Sequence, residues 1–371
     1  MSQLLQYYKS FQVPKQPAVA AAPTFQDLTV DDQLSELQRV VRYSKSNIAL
    51  QRLVHVKLLS DVAETVGYAE AKEHILPLMS LLAADSEPPI KQHLLAQLSL
   101  LAKVFSKYEV EGAYDEIVES ILPVAAQLLE DEKTEVRQTA VTSLASIADY
   151  IEEDDLGQHV LTIILRLSHD DDKEEMRMTA SELLNLLADR LGTDLCKQFV
   201  IPEIVSLAED PVFRVRKAAA LNFFNICKVG GEHELFERLM PAFVRLSKDD
   251  MYRVRKAVAQ SLSDVSKNVS NDIRLGVLIE IFLRLAVDSS RQVKQCVLQQ
   301  AGMFIATLPP RAINDTILGH YLSMAHAPTG DMATDAELQQ YCAYCFPGVL
   351  QTIGGGRWPE VRKVCRCSLV Y

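Results

Sequence analysis

The chain has 371 residues, 48% of them hydrophobic and 23% charged, which fits about two or three ordinary domains or one long repeat array and excludes wholesale disorder. Glycine and proline number only 14 and 15, too few for a turn-rich all-β fold, and 38 basic against 49 acidic residues give a formal charge of −11. That balance argues against a nucleic-acid binder working through a basic stripe, and no run approaches the roughly 18 apolar residues of a membrane-spanning helix.

The N-terminus lacks the charge and apolar run of a secretory signal, and the 7 cysteines are an odd number, so a disulfide framework is not expected. A reducing compartment, cytoplasmic or nuclear, is the expectation. Residues 1–26 hold Pro14, Pro17, Pro23 and an alanine-rich run from Ala18 to Ala22, the composition of a flexible extension. A repeat array is expected over 27–353. It opens with a weak unit whose helices fall near Asp31–Tyr43 and Ile48–Val66.

From there one spacing recurs: an Asp, an aliphatic residue five positions later, then Arg or Lys. The instances are Asp85…Ile90-Lys91, Asp131…Val136-Arg137, Asp171…Met176-Arg177, Asp210…Val215-Arg216, Asp249…Val254-Arg255 and Asp288…Val293-Lys294. The aliphatic positions lie 46, 40, 39, 39 and 39 residues apart, with an insertion at Ser106–Gly112 accounting for the longest interval. Pro77, Pro123, Pro202 and Pro241 each stand eight residues before an Asp of this series. After the aliphatic-basic pair, apolar residues follow at helical spacing, as in Val136, Ala140, Leu144, Ile147 and in Val215, Ala219, Phe223, Ile226. Before the Asp comes a second amphipathic stretch such as Ile117, Ile121, Leu122, Ala125, Leu128, Leu129, in which a proline should kink the helix. Two helices and a turn, repeated about every 39 residues, predict an all-α solenoid of about eight hairpins. An eighth hairpin is expected at Ile313–Met324 and Glu337–Leu350, with Leu338, Cys342 and Phe346 in phase but without the Asp and Arg. Residues 354–371 read as a linker and the start of a further unit, so the chain is expected to be truncated.

The repeated charges read as architecture. An Asp in one turn can accept hydrogen bonds from the next unit's turn and its basic residue, which makes a ladder of Asp131, Arg137, Asp171, Arg177, Asp210, Arg216, Asp249, Arg255, Asp288 and Lys294. Recognition should then lie in turn residues that differ between units. The turns run from acidic, Glu130 to Glu135 and Asp170 to Glu175, to aromatic and basic. Candidate partner-binding residues on this ridge are Lys133, Glu135, Phe213, Arg214, Tyr252, Arg253 and Arg291; Phe213 and Tyr252 share one phase and each precedes an Arg, a pairing enriched at binding hot spots.

Reaction chemistry is not legible. There is no phosphate-binding Gly-Lys-Ser loop, no Gly-x-Ser-x-Gly elbow and no His-Glu-x-x-His. Gly354-Gly355-Gly356 neither follows a strand nor precedes a Lys-Ser/Thr pair, and the single His233-Glu234 pair, expected in a connecting loop, cannot supply a dinuclear metal site. Cys342, Cys345, Cys365 and Cys367 could hold zinc, but the first pair lies three apart on an expected helix, where small apolar residues pack. No catalytic residue, metal or cofactor is expected.

The layout resembles a HEAT repeat: a first helix bent at Pro, an Asp at the turn, and Val-Arg opening the second helix. HEAT arrays wind as right-handed superhelices. Among them, the regular spacing looks like the scaffold subunit of protein phosphatase 2A. Three strings are similar to the N-terminal array of the regulatory subunit 1 family of protein phosphatase 4. They are Tyr43-Ser44-Lys45-Ser46-Asn47-Ile48-Ala49-Leu50-Gln51-Arg52-Leu53-Val54, Asp210-Pro211-Val212-Phe213-Arg214-Val215-Arg216-Lys217-Ala218-Ala219-Ala220 and Tyr341-Cys342-Ala343-Tyr344-Cys345-Phe346-Pro347-Gly348-Val349. The resemblance implies a non-catalytic subunit that recruits phosphoprotein substrates to a serine/threonine phosphatase catalytic subunit, bound directly or through a bridge. Family members usually carry a second HEAT block that is missing here. The competing expectation is a nuclear-transport or trafficking adaptor of the karyopherin type.

Overall fold

The computed structural model describes residues 30–326 and 330–362, and among these every regular element is helical. The described residues fall into two compact units divided between Gln97 and Leu98, a boundary inside the helix Pro88–Ser106.

In the first unit, Ser35 starts the helix Glu36–Tyr43 with a reciprocal cap: its Oγ accepts from the Gln38 N–H at 3.2 Å, and Gln38 Oε1 accepts from the Ser35 N–H at 3.1 Å. The helix expected over Ile48–Val66 is two pieces, Ala49–Val56 and Leu59–Val66. They are followed by Leu76–Ala83 and the beginning of Pro88–Ser106. Val40, Val56, Leu59, Ala63, Ile75, Leu82 and Ile90 are shut off from solvent between these helices.

The second unit is an α-solenoid. Its hairpins pair Leu122–Leu128 with Thr134–Ala148, Thr162–Ser168 with Glu174–Leu195, Ile201–Ala208 with Phe213–Leu221 and Phe224–Val229, Met240–Leu246 with Tyr252–Lys267, Ile279–Ala286 with Arg291–Ile305, and Asp315–Ser323 with Met332–Ile353. The second helices of successive hairpins pack side by side. Their inward positions alternate large and alanine-sized residues, so Ala140, Ala180, Ala219, Ala257 and Ala301 are fully buried where backbones approach. Gly302 carries this furthest: a Cβ there would lie 2.2 Å from the Cβ of Cys345 on the eighth hairpin. At Gly192 the backbone takes φ 76° and ψ 174°, a conformation closed to side chains with a Cβ, and this ends one second helix where the next hairpin begins.

The prolines act differently from expectation. Pro77, Pro123, Pro202 and Pro241 are each the second residue of an α-helix that follows directly on a π-helical turn: Ala71–Ile75, Ile117–Ile121, Cys196–Val200 and Leu235–Leu239. The wider turn removes the need for the missing N–H, so the ring enters at a helix start and not in its interior. Leu156–Leu161 and Arg274–Leu278 make the same π turn before helices that lack the proline. Proline therefore marks this bend without being its cause.

One second helix is interrupted. The run Val215, Ala219, Phe223, Ile226 is buried as expected, but the helix stops at Leu221 and restarts at Phe224. The Asn225 N–H, released from the helix ladder by the break, donates to Asn185 Oδ1 of the preceding hairpin at 2.9 Å.

Candidate functional site

The turns joining the helices of each hairpin hold the charged ladder. Asp85, Asp131, Asp210, Asp249 and Asp288 each accept, through Oδ1, the N–H of the residue two positions on, at 2.7–3.0 Å. An Asp suits the position because its short side chain mimics a backbone turn. At four of these five turns the carboxylate oxygens also receive a guanidinium from the preceding hairpin. Arg52 grips Asp85 within the first unit, and within the second Arg177 grips Asp210, Arg216 grips Asp249 and Arg255 grips Asp288. Every rung is bidentate, with Nε at 2.6–2.7 Å and the second nitrogen at 2.9–3.2 Å. The remaining nitrogen bonds the carbonyls of the Arg's own turn, as in Arg216 Nη1 to Asp210 O at 2.8 Å. The guanidinium thus comes from the preceding unit, the reverse of the direction expected from sequence.

These hydrogen bonds raise the pKa of the four rung arginines above the ordinary arginine value, against the opposing effect of burial. Burial pushes the Asp288 carboxyl up. The hydrogen bonds from Arg255 and the Ser290 N–H, with the charges of Arg255 and Lys294, outweigh it and hold the group below the usual carboxylate range.

Three ladder assignments need correction. Asp171 is not the turn residue of its hairpin; Asp170 is, its Oδ1 accepting from the N–H groups of Asp172 at 3.0 Å and Lys173 at 2.8 Å. The turn carries one extra residue, and Arg177 Nη1 accordingly reaches Asp170 O at 2.7 Å. Arg137 makes no rung: it bonds Asp131 O and Glu132 O, and its Nη2 donates to Thr134 Oγ1 at 3.2 Å. Lys294 forms no ion pair among the described residues. Conversely, Arg52 belongs to the ladder although its hairpin lacks the Asp. Ser46 substitutes for it, its Oγ accepting from the Ile48 N–H at 3.1 Å and its carbonyl from Arg52 at 2.8 Å. The six-residue interval from Ser46 to Arg52 is the signal that could have revealed this.

The ridge residues divide into two groups. Phe213 and Tyr252 are half-buried, and Arg253 connects them, its guanidinium carbon 6.0 Å from the Phe213 ring centre and 5.9 Å from that of Tyr252. The hydrogen bond from Arg253, and then its charge, lower the Tyr252 pKa below the usual phenol value. Met251 borders this cluster in sequence and is exposed. Arg214 instead reaches back to Glu174, and Arg166 and Arg245, near the ends of first helices, reach back to Glu130 and Glu209 beside the preceding turns. The arginine of each pair is more than half exposed, so each pair holds little energy. Arg291 pairs with Asp331 at 3.2 Å. Lys133 and Glu135 lie at the start of Thr134–Ala148, both exposed.

Two cavities accompany the broken rungs. One, of about 320 Å³, lies over the second helices of three hairpins, with Arg137 beside Glu175, Glu182, Thr179 and Asn222. Burial raises the Glu182 pKa. The other, of about 380 Å³, is lined by Arg291, Lys294, Gln295, Leu298 and His320.

Among the described residues no group of His, Cys, Asp and Glu has metal-site geometry, and no helix is long and apolar enough to cross a membrane. Cys342 is buried and Cys345 half-buried at a helix contact, while Cys365 and Cys367 lie outside the described residues. Burial pushes the Cys196 and Cys227 thiols up to about 12. His233-Glu234 sits in a helical turn, Gly231–Glu234, and not in the loop expected, with Glu234 3.6 Å from Arg238.

The fold is shared with karyopherins. A structure of Kap95p that addresses its binding to RanGDP matches 88% of this chain and 42% of its own at a TM-score of 0.61 and 14% identity. A Kap95:Nup1 complex matches 88% and 43% at 0.63 and 12%, and importin beta in ammonium sulfate 84% and 40% at 0.53 and 13%. The chain therefore spans less than half the length of each neighbour, and identities this low speak for the fold alone. The comparison with curated protein sequences gives no match. A family model described as dynein axonemal assembly factor 5-like, TPR repeats, matches residues 81–312, more than half of the sequence. By that match the chain belongs to the dynein axonemal assembly factor 5-like family of helical-repeat proteins.

Proposed function

We propose that this protein is a non-catalytic scaffold that acts as a regulatory subunit of a serine/threonine phosphatase of the protein phosphatase 4 type. Its mechanism is positional: tethering a substrate near a catalytic centre on another chain raises the local concentration of that substrate. The observation that carries the reading is the Phe213–Arg253–Tyr252 cluster. It places two aromatic rings and a cation on a rigid ridge, the composition of an interface anchor. The resemblance of the three sequence strings to the phosphatase 4 regulatory family supports the choice of enzyme. We place its work in the cytoplasm or nucleus, without nucleic acid, membrane, metal or cofactor.

Affinity purification of the full chain from cells, followed by mass spectrometry, tests this. A phosphatase catalytic subunit should be recovered, directly or bridged. The triple variant Phe213→Ala, Tyr252→Ala, Arg253→Ala should lose at least one reproducible partner while keeping its helical content. Recovery of no phosphatase catalytic subunit overturns the assignment.

A second reading, an adaptor of the karyopherin type, draws on the shared fold of the Kap95p structures. It predicts retention of a Ran-type GTPase or of a nucleoporin in the same purification. The family name raises axonemal dynein assembly as a further client process. Dynein chains would then replace the phosphatase in the recovered set.

A further inference from the structure

The ladder states what each of its positions is built to hold. In every rung within the second unit, a cation on one hairpin receives a carboxylate 33 residues further along the chain. Lys294 occupies the cation position of the last such hairpin, and the residue 33 positions on is Ala327, which has no carboxylate. The Lys294 charge acts on Asp288, whose two oxygens are already gripped by Arg255 at 2.7 and 2.9 Å.

A cavity of about 380 Å³ adjoins Lys294. Its lining brings together Arg291, Lys294 and His320 with the amide of Gln295 and the hydroxyl of Ser323, and among the described residues it includes no acidic side chain. His320 is set against the Phe282 ring edge-on, 6.2 Å between centres. Arg291 shares its charge with Asp331 in a pair that is about half exposed on each side, so an incoming anion competes with it at little cost. The Glu337 carboxylate accepts from Gln299 at 2.9 Å and from Gln295 of the lining at 3.4 Å.

The cavity beside Arg137 is the counterexample. That guanidinium is occupied by two carbonyls and a hydroxyl of its own turn, and Glu175 and Glu182 line the space with it. A broken rung alone therefore does not make an anion site. Lys294 differs: among the described residues it has no ion pair, its neighbour Arg291 stands in a solvated pair, and the described lining of the cavity holds no carboxylate, on a chain whose net charge of −11 would otherwise repel an anion.

We propose that the Arg291–Lys294–His320 cavity binds a phosphorylated serine or threonine of a partner polypeptide, the phosphate taking the place of the absent ladder carboxylate. A dianionic phosphate matches two cations and a ring N–H better than one carboxylate does, and Arg291 can engage it through two parallel hydrogen bonds. This deepens the scaffold reading, since it names the chemical class that a phosphatase subunit would capture.

The test uses the full chain and a degenerate fluorescent peptide library fixed at a central phosphoserine, read by anisotropy, with matched serine and glutamate libraries. The phosphoserine library should bind at least tenfold tighter than either control. Lys294→Ala should weaken it at least fivefold, with Lys294→Arg retaining binding and Arg137→Ala leaving it unchanged. Equal affinity for the three libraries, or an undiminished Lys294→Ala variant, overturns the proposal. Co-purification of the phosphatase with the Lys294→Ala variant is scored separately. Loss of phosphopeptide binding with the phosphatase retained supports the cavity; a retained phosphatase with no phosphopeptide preference in the parent chain removes the cavity and leaves the scaffold role standing.

Discussion

Two stretches of the second unit carry nearly the same repeat and differ in what their charges accomplish. From Arg177 to Asp288, at 39-residue intervals, each arginine bridges to the following turn through two short hydrogen bonds. Between Arg137 and Arg177 the interval is 40, and the bridge is missing although Asp170 stands 33 residues after Arg137. One extra residue shifts the turn, and the hydroxyl of Thr134 offers Arg137 a closer acceptor. The equivalent positions on later hairpins hold Phe213 and Tyr252, which cannot compete in this way. A ladder in a repeat protein is therefore a matter of register as much as of residue type, because a bidentate guanidinium tolerates little displacement.

The largest effect that could break this comparison is expected from Arg216→Ala. It strips a mostly buried Asp249 of its partner and should cost about 3 kcal/mol, the scale of a broken buried ion pair. Arg137→Ala removes bonds only to its own turn and should cost less than about 1 kcal/mol. Urea unfolding with hydrogen exchange on the adjoining helices measures both, and equal losses would erase the distinction.

Next comes Gly302→Ala. The added carbon meets the Cys345 Cβ at 2.2 Å, backbone-anchored atoms with nowhere to rotate, so about 1–3 kcal/mol of overpacking should loosen the last hairpin. Gly157→Ala, whose new carbon would stand 3.6 Å from a Leu195 methyl, is the control and should stay within about 0.5 kcal/mol of the parent.

A smaller gain should follow from deleting Asp171, which restores the 39-residue interval. If register is what breaks the rung, Arg137 moves onto Asp170 and stability rises by about 1 kcal/mol, read as a higher thermal midpoint. No change would place the cause in Thr134, and Thr134→Val would then be the informative variant.

The smallest expected effect is on the acid side. Because the folded Asp288 carboxyl titrates below its unfolded value of about 3.9, its contribution is complete above that value and is lost as pH falls through the folded pKa. A stability profile from pH 5 to pH 2 should therefore fall less steeply for Asp288→Asn than for the parent chain.

Much of the fold was readable because helical periodicity is a local property. Val136, Ala140, Leu144 and Ile147 are spaced by the pitch of a helix wherever that helix packs, and all four are buried. The aromatic phase was equally legible, since Phe213 and Tyr252 follow from counting. That Arg253 links them was not, because either neighbouring arginine was available and Arg214 turned to Glu174 instead. The π turn beside each proline was not legible, because the same turn precedes helices with and without proline and so does not depend on the ring.

The amino-acid order alone determined that the chain builds repeated helical hairpins and which charges sit at their turns, since pitch and turn chemistry depend on residues close in sequence. Only the tertiary structure decided which arginine meets which aspartate, which helix breaks to feed a neighbouring asparagine, and where a cation is left facing open space. Those outcomes depend on separations of ångströms between hairpins about 39 residues apart, and no local pattern encodes distances across a packed interface.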